Sequence, residues 1–228
     1  MAVLKPLEIQ KYILKEKFIP LYTHTDVEVC KNVMRICYEN GIKVFEFTNR
    51  NANSFEIFIE LKEYRDAELP EMKIGIGTIK NADQAKRFIE AGADFLISPV
   101  VLEEIQEVCK KENILWIPGC ATPSEVCLAE NWGLSLVKIF PAKQLGGPSY
   151  IEAIRAVFPE MQFMATGGVE ASREEVQKWY NAGVSSVGLG SQLFPKEMIR
   201  EKAYEKMSEH LSVLVSEFDL LKRSAADV

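Results

Sequence analysis

The chain has 228 residues, of which 47% are hydrophobic and 26% charged, with a formal net charge of -6. That length and apolar share suffice for one sizeable core in an ordinary globular protein. The acidic balance, without a Lys/Arg run, argues against a nucleic-acid footprint and leaves room only for a local basic pocket.

An N-terminal helix precedes the first strand, 18–22 (FIPLY). Amphipathic stretches and short apolar runs then alternate: helix 26–40, strand 43–48, helix 52–65, strand 73–77, helix 81–91, strand 94–98. The pattern continues with helix 102–112, strand 114–117, helix 122–132, strand 135–140, helix 149–158, strand 162–166, helix 171–182 and strand 185–190. A long C-terminal helix over roughly 196–221 repeats apolar residues at Met207, Leu211, Leu214, Val215 and Phe218. Strand–helix alternation implies parallel pairing. Eight such units in this length predict a (β/α)8 TIM barrel of α/β class, spanning about residues 18–195 within a single domain, 1–228.

An internal repeat supports closure of the ring. The second, fourth, sixth and eighth strands are each entered through a helix-ending glycine: Gly41, Gly92, Gly133 and Gly183. Glycine just past a helix end supplies the left-handed cap. Counting five residues from each glycine reaches Glu46, Ile97, Lys138 and Gly188. In such barrels each interior layer takes four side chains from alternate strands. If these positions point inward, Glu46 and Lys138 face each other across the barrel, with Gly188 leaving room beside them. The same parity turns Thr48 and Arg50 toward the interior or its mouth.

A lysine and a glutamate in an apolar barrel demand a reason, since charged residues are rarely buried unpaired. A buried ion pair holding the barrel together is one. Chemistry is the other: a neutral amine attacks a ketone, the iminium takes up electrons as a carbon–carbon bond breaks, and the carboxylate moves protons. Burial favours the neutral amine and a nearby carboxylate favours the ammonium. Sequence alone leaves open which wins.

The remaining candidates for chemistry are few. Cys30, Cys37, Cys109, Cys120 and Cys127 are odd in number and form no C-x-x-C, against a disulfide framework or zinc site. Cys30 and Cys37 share one helix face as core residues, and reduced cysteines suit a cytoplasmic protein. Residues 1–17 lack the apolar stretch of a signal peptide, and no apolar run approaches the ~20 residues of a membrane span. His24 follows the first strand and is either a pocket residue or a solvated loop residue; His210, on the last helix, reads as exposed. Two distant histidines fit a metal-dependent enzyme poorly, so neither metal nor cofactor is expected.

The stretch GIKVFEFTNR with its E-x-T-x-R, the strand end GIGT, then EAGADFLISP, IPGCAT, VKIFPA and ATGGV occur in order. Together they resemble the 2-dehydro-3-deoxy-phosphogluconate / 4-hydroxy-2-oxoglutarate aldolase family over roughly residues 18–195. The resemblance implies a class I, Schiff-base lyase on a homotrimeric barrel, yielding pyruvate with glyceraldehyde 3-phosphate or glyoxylate. By position it makes Lys138 the Schiff-base lysine and Glu46 the acid–base group. Arg50 and Thr78 match residues that hold the pyruvate carboxylate, a planar anion suited to a guanidinium fork; a surface salt bridge is the plainer reading of Arg50. Pro99 and Phe140 match pocket walls, and Thr166 a substrate contact.

Gly167, Gly168 and Ser191 match the phosphate site, in loops that commonly bind phosphate in this fold, although a tight turn would also give TGG. Asn49, Val100, Lys143, Leu189 and Gln192 depart from the usual pattern, chiefly on the aldehyde and phosphate side. An aldolase for a related sugar acid, such as the phosphogalactonate epimer, is the nearest alternative. A phosphosugar isomerase or epimerase on the same barrel is a further one.

Overall fold

The strands follow the apolar runs. In the computed structural model, which describes residues 5–221, the first four are β1 (Phe18–Tyr22), β2 (Val44–Thr48), β3 (Lys73–Gly77) and β4 (Phe95–Ile97). The chain continues through β5 (Leu115–Ile117), β6 (Gly119–Cys120), β7 (Leu136–Ile139), β8 (Gln162–Thr166) and β9 (Ser186–Leu189). All neighbouring strands pair in parallel, in the order β5-β4-β3-β2-β1-β9-β8-β7-β6.

The two ends of that order, β5 and β6, are consecutive pieces of chain separated by Pro118. Proline has no N–H to give to a ladder, but the Pro118 carbonyl accepts from Lys138 N at 2.8 Å. The fifth barrel strand therefore pairs with β4 through one half and with β7 through the other, and the ring closes as a (β/α)8 barrel. Sequence ended this strand at 117; the chain stays in the wall as far as Cys120.

The outer helices are α2 (Val27–Glu39), α3 (Ser54–Glu68), α4 (Ala82–Glu90), α5 (Glu103–Lys111), α6 (Pro123–Asn131), α7 (Pro148–Val157) and α8 (Arg173–Ala182). Asp26, Asn81, Thr122 and Ser172 cap four of them by accepting a backbone N–H. Gly41, Gly92, Gly133 and Gly183 sit at φ of 85°, 88°, 79° and 96°, the left-handed conformation the repeat requires. Cys30, Cys37, Cys109 and Cys120 are buried and only Cys127 is exposed.

The C-terminal helix expected over 196–221 is two: α9 (Lys196–Arg200) and α10 (Tyr204–Asp219). Lys202, at φ 51°, turns the chain between them. The break lets α9 stay at the barrel rim while α10 crosses onto α2 and α8, burying Met207, Leu211, Leu214 and Phe218. That packing also corrects His210, which is half-buried, with a buried Nε2 that has no hydrogen-bond partner among the described residues.

Two apolar cores result. The larger lies between the strands' outer faces and the helices. The smaller fills the barrel itself with Ile19, Val44, Phe95, Ile97, Leu115, Ile117, Leu136 and Met164. The N-terminal helix α1 (Pro6–Lys15) adds Ile9 and Ile13 to it. It closes the end of the barrel where the strands begin.

Candidate active site

Side chains alternate along a strand, so each residue of the inner core dictates its neighbours two positions on. Val44 inside puts Glu46 and Thr48 inside; Leu136 does the same for Lys138, and Met164 for Thr166. Glu46 and Thr48 are each 1% exposed, Lys138 and Thr166 each 4%. Pro99 and Phe140, on the parity of Ile97 and Lys138, are half-buried above them.

Glu46 and Lys138 act on each other through space, with no hydrogen bond between them. Burial holds the Lys138 amine below the usual lysine value; Glu46 opposes this and Arg50 adds to it. Burial raises the Glu46 carboxyl above the usual carboxylate range, against Lys138 and Arg50. Desolvation thus wins the contest that the sequence left open, and it favours the neutral form of both groups. The Lys138 Nζ lies 5.0 Å from the Phe140 ring centroid, an apolar neighbour. Glu46 Oε2, Thr48 Oγ1 and Thr166 Oγ1 are buried with no hydrogen-bond partner among the described residues. Buried polar groups are almost always paired, so three orphans converging in one apolar barrel mark a place for a polar ligand.

Two glycines make the space. A Cβ at Gly77 would overlap the Glu46 carboxylate, and one at Gly188 would meet Thr166 Oγ1 at 2.5 Å and Leu21 at 2.9 Å. The room beside Gly188 is therefore occupied by Thr166 and Leu21. Directly after Gly77, Thr78 sits at φ 65°, a strained conformation for a β-branched residue, and its hydroxyl accepts from Arg50 Nε at 3.4 Å. Arg50 makes no ion pair among the described residues; it is an exposed cation at the mouth.

The rim after β7 and β8 holds Gly167 and Gly168, where a phosphate loop was expected. Gly167 and Gly168 have φ of 97° and 78°, and a Cβ at Gly168 would lie 2.5 Å from Lys143 Cβ. Lys143 pairs with Glu170 at 2.6 Å. The Gln192 side-chain Oε1 accepts from Ala171 N at 2.7 Å, tying this loop to the one after β9, where Ser191 is exposed. Lys143 and Gln192, two departures from the family's usual pattern, thus both bind this rim.

Above Thr48 a cavity of about 530 Å³ opens between the ends of β1 and β2, Gly190, Ser191 and α9. His24 and Arg50 line it, as do Lys196 and Arg200. His24, half-buried, accepts from Asp26 N through Nδ1 at 3.0 Å. Sequence reasoning missed the two cations of α9, although their spacing, one helical turn apart, was a readable signal. A second cavity, about 470 Å³, lies at the opposite end of the barrel, below α1. Its charges satisfy one another: Arg65 bonds Asp66, Asp94 and the Met72 carbonyl, and Lys62 bonds Asp66. Chemistry in this fold sits at the strands' C-terminal ends, so the first cavity belongs to the site. Among the described residues, no three His, Cys, Asp or Glu side chains gather as a metal site would need.

A closed barrel with a buried amine and a buried carboxyl suits carbonyl chemistry, and comparison with known proteins supplies the class. The model of the KDPG and KHG aldolase family matches residues 9–210, and the chain belongs to that family. It is a lyase, an aldolase. The KHG/KDPG aldolase of Escherichia coli (strain K12) is 29% identical over 193 residues, covering 84% of this chain and 87% of that one. The 2-dehydro-3-deoxy-phosphogluconate aldolase of Dickeya dadantii is 30% identical over 192 residues, covering 83% and 86%. Among solved structures, the KDPG aldolase from Legionella pneumophila, with pyruvate captured at low pH as a covalent carbinolamine intermediate, superposes with a TM-score of 0.81 at 28% identity. That match covers 89% of this chain and 96% of the other.

Proposed function

We propose that the chain cleaves 4-hydroxy-2-keto acids through a Schiff base on Lys138, with Glu46 carrying the protons. The observation that supports this most is the buried Lys138–Glu46 pair, because burial favours the nucleophilic form of the amine.

The reaction follows from the groups present. The neutral Lys138 amine adds to the C2 carbonyl, and the carbinolamine loses water to give an iminium. Glu46, as carboxylate, takes the C4 hydroxyl proton. The C3–C4 bond breaks, the aldehyde leaves, and its electron pair passes into an enamine. Glu46 returns the proton to C3, and water releases pyruvate and the free amine. Arg50 and Thr78 hold the C1 carboxylate, while Pro99, Phe140 and Thr166 wall the carbon chain. Gly167, Gly168 and Ser191 take a terminal phosphate.

The substrate is 2-dehydro-3-deoxy-6-phosphogluconate, giving pyruvate and glyceraldehyde 3-phosphate, or 4-hydroxy-2-oxoglutarate, giving pyruvate and glyoxylate. Relatives named for both activities support the pair. The test is trapping: pyruvate with borohydride should add one reduced pyruvyl group, mapped by mass spectrometry to Lys138. An adduct on another lysine, or none, refutes the assignment.

A further inference from the structure

The cavity of about 530 Å³ beside β1 is lined by His24, Arg50, Lys196 and Arg200, with Ser191 and Thr23 among its polar groups. Among the described residues, no carboxylate lines it. A rim dominated by one sign of charge focuses a field into the cleft and draws in a counter-ion. The cations are available for one. Lys196 makes no ion pair among the described residues, and the only pair of Arg200 is with Glu201 at 3.6 Å, between side chains 74% and 62% exposed. Such exposed pairs contribute little and exchange readily. Across the mouth, at the expected phosphate loop, the balance differs: Glu170 is a carboxylate already bound to Lys143, whose side chain covers Gly168. Free positive charge is therefore concentrated on the β1–α9 side. Thr48, two residues beyond Glu46 on the same inward parity, lines this cavity, which makes it the outward continuation of the barrel interior.

We propose that this cavity extends the terminal-anion site from Ser191 toward α9, and that Lys196 and Arg200 add to Gly167, Gly168 and Ser191 the free charge that selects keto acids ending in an anion, a phosphate or a carboxylate. The inference rests on the aldolase reading above and adds to it the residues that set substrate class. Ser191 stands between the two sides of the mouth and serves the same anion. Lys196 and Arg200 occupy successive turns of α9, so one group with several oxygens can bridge them.

The test compares wild type with Lys196→Glu/Arg200→Glu on three 4-hydroxy-2-keto acids: one ending in phosphate, one in carboxylate and one in an uncharged hydroxyl. Loss of a hydrogen bond to a charged group should cost about tenfold or more per cation in kcat/KM for the anionic substrates. The uncharged substrate should lose far less. The larger of the two anionic losses identifies which anion the cavity is built for. Equal losses on all three substrates, or no loss on either anionic one, overturn the proposal. Should the double variant melt early, the single Lys196→Ala variant, at an exposed position, gives the same comparison.

Calorimetric titration with inorganic phosphate reads the subsite without turnover. The charge-reversed protein should bind it about tenfold more weakly or worse, and unchanged affinity overturns the proposal. Borohydride trapping of pyruvate separates the two readings. If wild type fails to trap, the Schiff-base assignment falls, and the phosphate titration still decides the subsite. If both proteins trap and substrate preference does not move, only the subsite is wrong.

Discussion

Gly77 is a glycine because of Glu46: any side chain on β3 at that point would occupy the volume of the β2 carboxylate. Gly77→Ala must therefore push the carboxyl away from the reacting carbons or force the two strands apart. The expected result is a fall in kcat of ~10²-fold or more, the scale of a displaced general acid–base group, with about 1–3 kcal/mol of lost stability from overpacking. Retro-aldol kinetics coupled to lactate dehydrogenase, alongside a melting curve, measure both. A folded Gly77→Ala enzyme with full turnover would contradict the placement of Glu46.

Adduct formation should depend on pH through Lys138. Its folded pKa lies below the ordinary lysine value of 10.5, so the neutral amine becomes the major form at lower pH than for an exposed lysine. The rate of borohydride-trapped adduct formation should rise with pH and level off before that value is reached. A rise centred on the ordinary value would show the amine to be solvated.

Glu46→Gln separates chemistry from stability. The folded pKa of Glu46 is raised, so between the unfolded and folded values the native state binds the extra proton and stability falls as pH rises. The penalty is absent below the unfolded pKa and full above the folded one. Glu46→Gln removes it: at neutral pH the variant should melt above wild type, the gap closing as pH falls into the ordinary carboxylate range. Turnover should drop by ~10²–10⁴-fold, while pyruvate still binds. A variant less stable than wild type at every pH would mean that the carboxylate is structural.

Association is expected to be trimeric, as the family resemblance implies. Val157 on α7 remains 65% exposed, and Leu128 on α6 is 39% exposed beside Phe158 in a shallow surface cavity. These apolar groups lie on the outer ring, where burial against a second copy would be favourable. Light scattering at micromolar concentration should return three times the mass of the chain. A monomer would contradict it.

What the sequence revealed was whatever repeats. The cap glycines recur with the βα period, and from them the inward parity of Glu46 and Lys138 followed; the inner core confirms that parity through Val44, Phe95 and Leu136. What it hid was non-periodic. Pro118 reads as a strand end, yet the wall continues past it, because pairing switches partners at the residue that has no N–H. The break at Lys202 interrupts an unbroken amphipathic pattern, since helix packing rather than propensity decides it. Thr78 gave no hint of its left-handed backbone, and Lys196 and Arg200 looked like a solvated helix face until the fold set them over the mouth.

Ile9 and Ile13 seal the far end of the barrel, and among the described residues this makes the interior a vessel with a single door. Everything that reacts at Lys138 must come and go by the same route. Under the proposed reaction the aldehyde half, nearer the door, would have to depart before the pyruvyl half could follow, and the water that frees pyruvate would enter behind it. On the proposed Schiff-base chemistry, position and the covalent bond to Lys138 order release alike: aldehyde first and keto acid last, with the reverse order expected in condensation.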